Sequence, residues 1–318
     1  MASFTSPFRG RPITYPLPDT PPDVHLRVFY QDFYVHSSVL KKHSAFFRAF
    51  LDSRDKALSG TSPNTKYKYD WTSHVDKEGT WALICSTKLS ANEEQFDFWG
   101  DQNVEIESFH ILLNSFYGCH VRIHSIPQLN HIIALADYYR ALPQLSVAFT
   151  KALELGTSGR ILDGMVANCA ELIEIAAKLR CAPLYRDCLI LCMGPYNKPR
   201  YGEIKSIPLQ HLALAEFKRI IGHMRSAREA QETARTRNPR GSKKTMTSPF
   251  IPEGYREAAL YCSTSGHWFA EERIRDIVWL GRNNLVLVPE KVHLLRDCFL
   301  CTEVSDEDLP WDVGEKEW

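Results

Sequence analysis

The side chains best suited to chemistry lie near the C-terminus, where Cys298-x-x-Cys301 follows His293, with Cys262 and His267 upstream. Paired thiolates and imidazoles at short spacing can supply four tetrahedral ligands to zinc. The same residues also read as core. Cys298 and Cys301 stand one helical turn apart beside Leu294 and Leu295, and Cys188 and Cys192 are i, i+4 neighbours in an apolar run. Buried cysteine behaves as a small hydrophobe, and this is the reading adopted, so no metal and no cofactor are expected. The second chemical candidate is a basic run, Arg225, Arg228, Arg235, Arg237, Arg240, Lys243 and Lys244, opposed only by Glu229 and Glu232. Clustered cations neutralise phosphates or answer import receptors, but no aromatic-interleaved face or zinc finger accompanies them. A helix tail dissolving into a solvated linker is expected. The chain contains no G-x-x-x-x-G-K-S/T, G-x-G-x-x-G, G-x-S-x-G or H-E-x-x-H. No catalytic residue is assigned and no enzymatic role is expected.

The elements that would carry a function are most legible near the start. Val24, Leu26 and Val28 alternate with His25 and Arg27, Gln31-Asp32 reads as a polar turn, and Phe33 and Val35 resume the alternation. Ser37 and Ser38 offer helix-capping hydroxyls, and Phe46, Phe47, Phe50 and Leu51 form one apolar stripe. Phe109, Leu112, Leu113, Phe116 and Tyr117 lie along a second helix that Gly118 can end. Leu129, Ile132, Ile133, Ala136 and Tyr139 mark a third. Pro143 separates it from a fourth carrying Leu145, Ala148, Phe149, Ala152 and Leu153. The predicted fold class is α/β (α+β): a small sheet with a helical cluster, followed by a mainly helical extension.

The series D-V-x-L at Asp23–Leu26, F-x-V-H at Phe33–His36, V-L at Val39-Leu40 and the S-x-x-F stretch from Ser44 to Phe50 resembles the opening of the BTB (POZ) domain. The resemblance extends through Val104–Gly118 and the A-D-Y-Y core of Leu129–Leu155, covering roughly 23–155 with an insertion at about 53–103. The run LIEIAAKLRCAPLYRDCLILCMGP resembles the helical extension that follows BTB domains in many fungal proteins. The resemblance implies a protein-binding adaptor whose candidate interaction residues are Asp23, Val24, Leu26, His36, Val39, Leu40, Phe46, Phe47 and Phe50. It also implies a protein partner: a second copy as a homodimer, or a cullin scaffold for which the chain serves as substrate adaptor of a ubiquitin ligase. Two positions depart from the family. Ser37 stands where corepressor-recruiting members carry a basic residue after the histidine, and Leu51-Asp52-Ser53-Arg54 replaces the hydrophobic-x-Glu motif often found in cullin binders. The alternative is a transcription-associated regulator whose basic linker contacts nucleic acid.

Domain limits follow composition. Residues 1–22, rich in proline, serine and threonine, read as a flexible arm. Residues 160–224 read as the helical extension, 225–248 as the basic linker and 249–318 as a mixed helical segment with an acidic tail. That tail could neutralise the linker. In the insertion, Trp71, Trp81, Phe96, Phe98 and Trp99 form either a satellite core or a recognition surface. At 318 residues, 44% hydrophobic and 24% charged, the chain has ordinary globular composition and room for about two domains. Its formal charge is zero, so no global field draws it to nucleic acid or membrane. Without an apolar span or signal-peptide core, a cytoplasmic or nuclear location with nine free thiols is expected.

Overall fold

The computed structural model describes residues 11–51, 53, 66–86, 96–237, 251–265, 271–315 and 318. Two units emerge, residues 1–152 and residues 153–317.

In the first unit a mixed five-stranded sheet is ordered β1-β3-β2-β4-β5. Strands β2 (Val24–Val28) and β3 (Gln31–Val35) form the expected hairpin, with Val24, Leu26, Val28, Phe33 and Val35 wholly buried. The reversal falls two residues earlier than expected, at Phe29-Tyr30. Gln31 already belongs to β3 and is buried, its amide donating to the Arg11 and Asp32 carbonyls. Phe29 takes a positive φ of 53°, uncommon for an aromatic residue. The Ser73 hydroxyl accepts from its N–H at 2.8 Å, and Trp81 and Phe98 flank its ring at 5.3 and 5.0 Å. β1 (Ile13–Thr14) runs parallel to β3, and Tyr15 beyond it is buried, its hydroxyl donating to Asn114 Oδ1 at 2.9 Å. Residues 11–15 of the expected flexible arm are therefore anchored, because Tyr15 supplies a ring to bury against Tyr117, 4.4 Å away.

From β3 the chain forms α1 (Ser37–His43) and α2 (Ala45–Leu51), then returns as β4 (Tyr69–Val75), parallel to β2 and antiparallel to β5 (Trp81–Cys85). Helices α3 (Gln102–Phe116), α4 (Ile126–Tyr138) and α5 (Leu142–Glu154) follow. An aromatic centre joins helices to sheet. Tyr139 stacks on Phe47 at 5.3 Å and meets Phe109 edge-on at 5.6 Å, while Phe109 meets Phe33 and Phe47 meets Trp71. Such pairs add about 1 kcal/mol each beyond the area they bury.

The second unit contains α6 (Gly159–Gly164), the hairpin of α7 (Cys169–Lys178) and α8 (Ala182–Cys192), then α9 (Ile207–Arg237), α10 (Pro252–Ser265) and α11 (Glu271–Leu280). The extension and the C-terminal segment, set apart by composition, share this unit. Asp187 on α8, wholly buried, accepts from the amides of Val286 and Leu287 at 2.9 and 2.8 Å. The basic run from Arg225 begins as the tail of α9, which continues as far as Arg237. One further expectation is corrected. Lys291–Cys301 is not an α-helix: a 3-10 turn over Pro289–Leu294 gives way to a turn at Arg296-Asp297 and then to Leu300, which bridges Asn283. The acidic tail pairs with arginines outside the linker, Asp306 with Arg186, Glu315 with Arg180 and Glu303 with Arg282.

Helices α4 and α7 end alike. Arg140 and Arg180 each take a φ of 50°, and the following amides, of Ala141 and Cys181, reach back to the Ala136 and Ala176 carbonyls at 2.7 and 2.9 Å. This is a Schellman stop with arginine where glycine is usual. The buried stripes share the offset: Leu129, Ile132, Ile133 and Ala136 in α4 match Cys169, Leu172, Ile173 and Ala176 in α7. Each residue of the second set lies 40 positions after its counterpart (169 − 129 = 40, 176 − 136 = 40).

Arg140→Gly is expected to raise stability by about 0.5 kcal/mol and Arg140→Val to lower it by about 1–2 kcal/mol, read from urea midpoints. Burial pushes the Asp187 carboxyl up against the opposing amides of Val286, Leu287 and Val288. Its contribution is thus greatest below the unfolded value of about 4 and declines as pH rises through the raised folded value. Asp187→Asn, which loses an acceptor oxygen but cannot ionise, should melt below wild type at pH 4, with a gap that narrows as pH increases.

Candidate interaction surface

Asp23, just before β2, closes the N-terminus of α1 from outside the helix. Its carboxylate accepts from the Ser37 amide at 2.7 Å and the Ser37 hydroxyl at 2.6 Å, while the N-cap residue His36 makes no side-chain cap. Ser37 is therefore a donor to Asp23, not itself the cap. His36 is buried, and its Nε2 donates to the Thr20 carbonyl at 3.0 Å. That tautomer leaves Nδ1 to accept the Tyr117 hydroxyl at 2.9 Å, and the same oxygen accepts the His36 amide at 2.8 Å. Burial drives the Tyr117 phenol well above its ordinary range, so it stays a neutral donor. Ser44, buried, donates to the Tyr139 carbonyl at 2.5 Å and accepts the Phe47 amide at 3.1 Å, fixing α2 to the end of α4.

These bonds sort the nine residues singled out by the resemblance. Val24, Leu26, Leu40 and Phe47 have no exposed surface and His36 almost none, so they hold the fold and are closed to a partner. Asp23, Val39, Phe46 and Phe50 keep solvent contact. Phe46 and Phe50 stack at 4.4 Å, and Tyr138 joins them 5.5 Å from Phe46 with half of its surface exposed (50%). Sequence reading missed Tyr138, although a signal was present: it falls outside the α4 stripe that ends at Tyr139. Arg48, exposed on α2, donates to the Lys41 carbonyl, and Lys42 is exposed on α1. The result is a partly exposed aromatic cluster of Phe46, Phe50 and Tyr138.

The insertion divides its aromatic residues. Trp71 belongs to the core, Trp81 and Phe98 are half-buried around Phe29, and Phe96 and Trp99 are exposed, Trp99 at 82%. On the outer sheet face His25 lies between Asp70 at 2.8 Å and Asp32 at 3.0 Å, and Tyr34 stacks on Tyr67 at 5.0 Å. Among the described residues no group of three or more histidine, cysteine or acidic side chains could hold a metal. Cys298 and Cys301 are buried thiols pushed up to about 11 and about 12 by burial, and His293 donates to the Glu290 carbonyl. The side chains of Cys262, Arg235 and Arg237 lie outside the described residues, as do His267, Arg240, Lys243 and Lys244. No helix among the described residues is long and apolar enough to cross a membrane. In comparisons with known proteins, no family model, no curated protein and no solved structure matches the chain.

Asp23→Ala removes both acceptors at the start of α1 and is expected to cost about 1–2 kcal/mol. Asp23→Asn, which keeps one acceptor oxygen, should lose about half as much by urea unfolding.

Proposed function

We propose that this chain is a protein-interaction adaptor of the BTB/POZ kind, acting by binding and not by turnover, with the Phe46–Phe50–Tyr138 platform as its contact surface. One observation carries the reading. Residues that resemble the family's motifs, scattered from His36 to Tyr139, support one another in space, His36 with Tyr117 and Ser44 with Tyr139, while Asp23 of the D-V-x-L run holds Ser37, a position that departs from the family. A constellation assembled from such distant positions supports a shared architecture better than any one motif does. The platform adds the function, since stacked aromatic rings left half in solvent are the residue type on which interface energy concentrates. A second copy of the chain and a cullin-type ubiquitin-ligase scaffold are the two partners this reading names. It places the adaptor in the cytoplasm or nucleus.

Light scattering on a size-exclusion column, over a range of concentrations and with the cullin N-terminal domain added in a second series, tests it. Wild type should form a dimer or shift on adding cullin. Replacing Phe46, Phe50 and Tyr138 together by alanine should weaken that association at least about tenfold, with little change in melting temperature. A wild-type monomer at every concentration that ignores cullin would overturn the proposal.

A further inference from the structure

The turn between β4 and β5 carries an exposed indole. Residues 76–80 form that turn: Asp76 Oδ1 accepts the Glu78 and Thr80 amides at 3.0 and 2.9 Å, and Gly79 takes a φ of 75°. Trp99 lies against this glycine, so close that a Cβ there would stand 3.3 Å from its ring. Phe98 decides the placement. Its ring turns inward to Phe29 at 5.0 Å, and a Cβ on Gly100 would meet the same ring at 2.6 Å, so the chain passes Phe98 on a residue without a side chain. With Phe98 turned in, its neighbours Asp97 and Trp99 are exposed, and the Trp99 ring rests on Gly79 with 82% of the residue's surface still open.

The charges of these two segments are nearly all of one sign. Residues 76–80 and 96–101 contribute four carboxylates, Asp76, Glu78, Asp97 and Asp101, against the single cation Lys77. The Thr80 hydroxyl and amide hold the Asp76 carboxyl below its ordinary value, so its charge is retained. Asp101 is fixed as the N-cap of α3, accepting the Asn103 amide at 2.8 Å. Asn103 in turn accepts the Tyr30 hydroxyl, which ties another exposed ring to the same end of the sheet.

We propose that Trp99 and these carboxylates form a docking site for a basic segment of a partner protein, with an arginine or lysine side chain lying over the open indole. Charge complementarity selects the occupant. A guanidinium or ammonium can meet the ring and a carboxylate together, and tryptophan offers a cation the best of the aromatic faces. An acidic segment would be repelled, and an apolar one would cover the ring while leaving the carboxylates unanswered. A second copy seated face to face would bring the same four carboxylates against one another. The surface shares no residue with the Phe46–Phe50–Tyr138 cluster, so it stands whether or not the chain associates there.

Fluorescence anisotropy of labelled hexa-arginine titrated with the full chain tests the site, with labelled hexaglutamate as control. Wild type should bind hexa-arginine and not hexaglutamate, with an affinity that falls as salt is raised. Trp99→Ala should weaken binding about fivefold with little change in melting temperature, since the ring is exposed, and Trp99→Phe should weaken it less. Glu78→Gln combined with Asp97→Asn should weaken it about threefold, and Lys77→Glu should tighten it about twofold. Absence of hexa-arginine binding, equal binding of hexaglutamate, or an affinity unchanged by either Trp99→Ala or the paired carboxylate substitution would overturn the proposal. Binding that Trp99→Ala abolishes but salt does not weaken would mark an apolar contact and overturn the choice of occupant. A wild-type dimer in light scattering that Trp99→Ala dissociates would assign the surface to a second copy and overturn it equally.

Discussion

Tyr139 is the residue the first unit cannot do without. A phenol at the centre of an apolar layer must be ringed by surfaces that repay its desolvation, and Phe47, Phe109 and Phe46 supply them. Its backbone is equally committed, because the carbonyl accepts the Ser44 hydroxyl. Placing Tyr139 therefore fixes α2 against the end of α4, and through Phe47 and Phe109 it fixes both against the buried face of the sheet. Tyr138 is turned outward as a consequence, so the exposed platform follows from the core beneath it.

The second unit rests on a different constraint. A carboxylate with no exposed surface on α8 requires donors, and the C-terminal segment provides them as the amides of Val286 and Leu287. Charge pairs at the rim reinforce the same attachment, with Arg186 and Arg180 reaching acidic residues more than a hundred positions later. These rim pairs are exposed and contribute little individually. The buried acceptor is the part that specifies the arrangement.

Periodicity made the helices legible, since an apolar stripe leaves its spacing in the sequence whatever it packs on. The hairpin and the α/β class were legible for the same reason. Features set by distant partners were not: nothing local marks Asp23 as the cap of α1, or Phe29 as a residue able to turn the chain with Ser73 behind it. Residues 291–301 misled because their apolar spacing imitates a helix, whereas in the fold Leu300 is held by Asn283. At the candidate surface, burial could not be divided from exposure along one stripe. Phe46 and Phe47 are adjacent in sequence and opposite in fate.

The 40-residue recurrence of helix, arginine stop and helix has an entropic side. In each case the next helix follows within a few residues, so the connecting loop closes at small entropic cost and the stop signal acts locally. The sheet asks for more, because pairing Val24 with Tyr69 brings together residues 45 apart (69 − 24 = 45). The helix stops are therefore written in local sequence, whereas the sheet and the Ser44–Tyr139 bond, whose partners lie 95 residues apart, wait on distant ones.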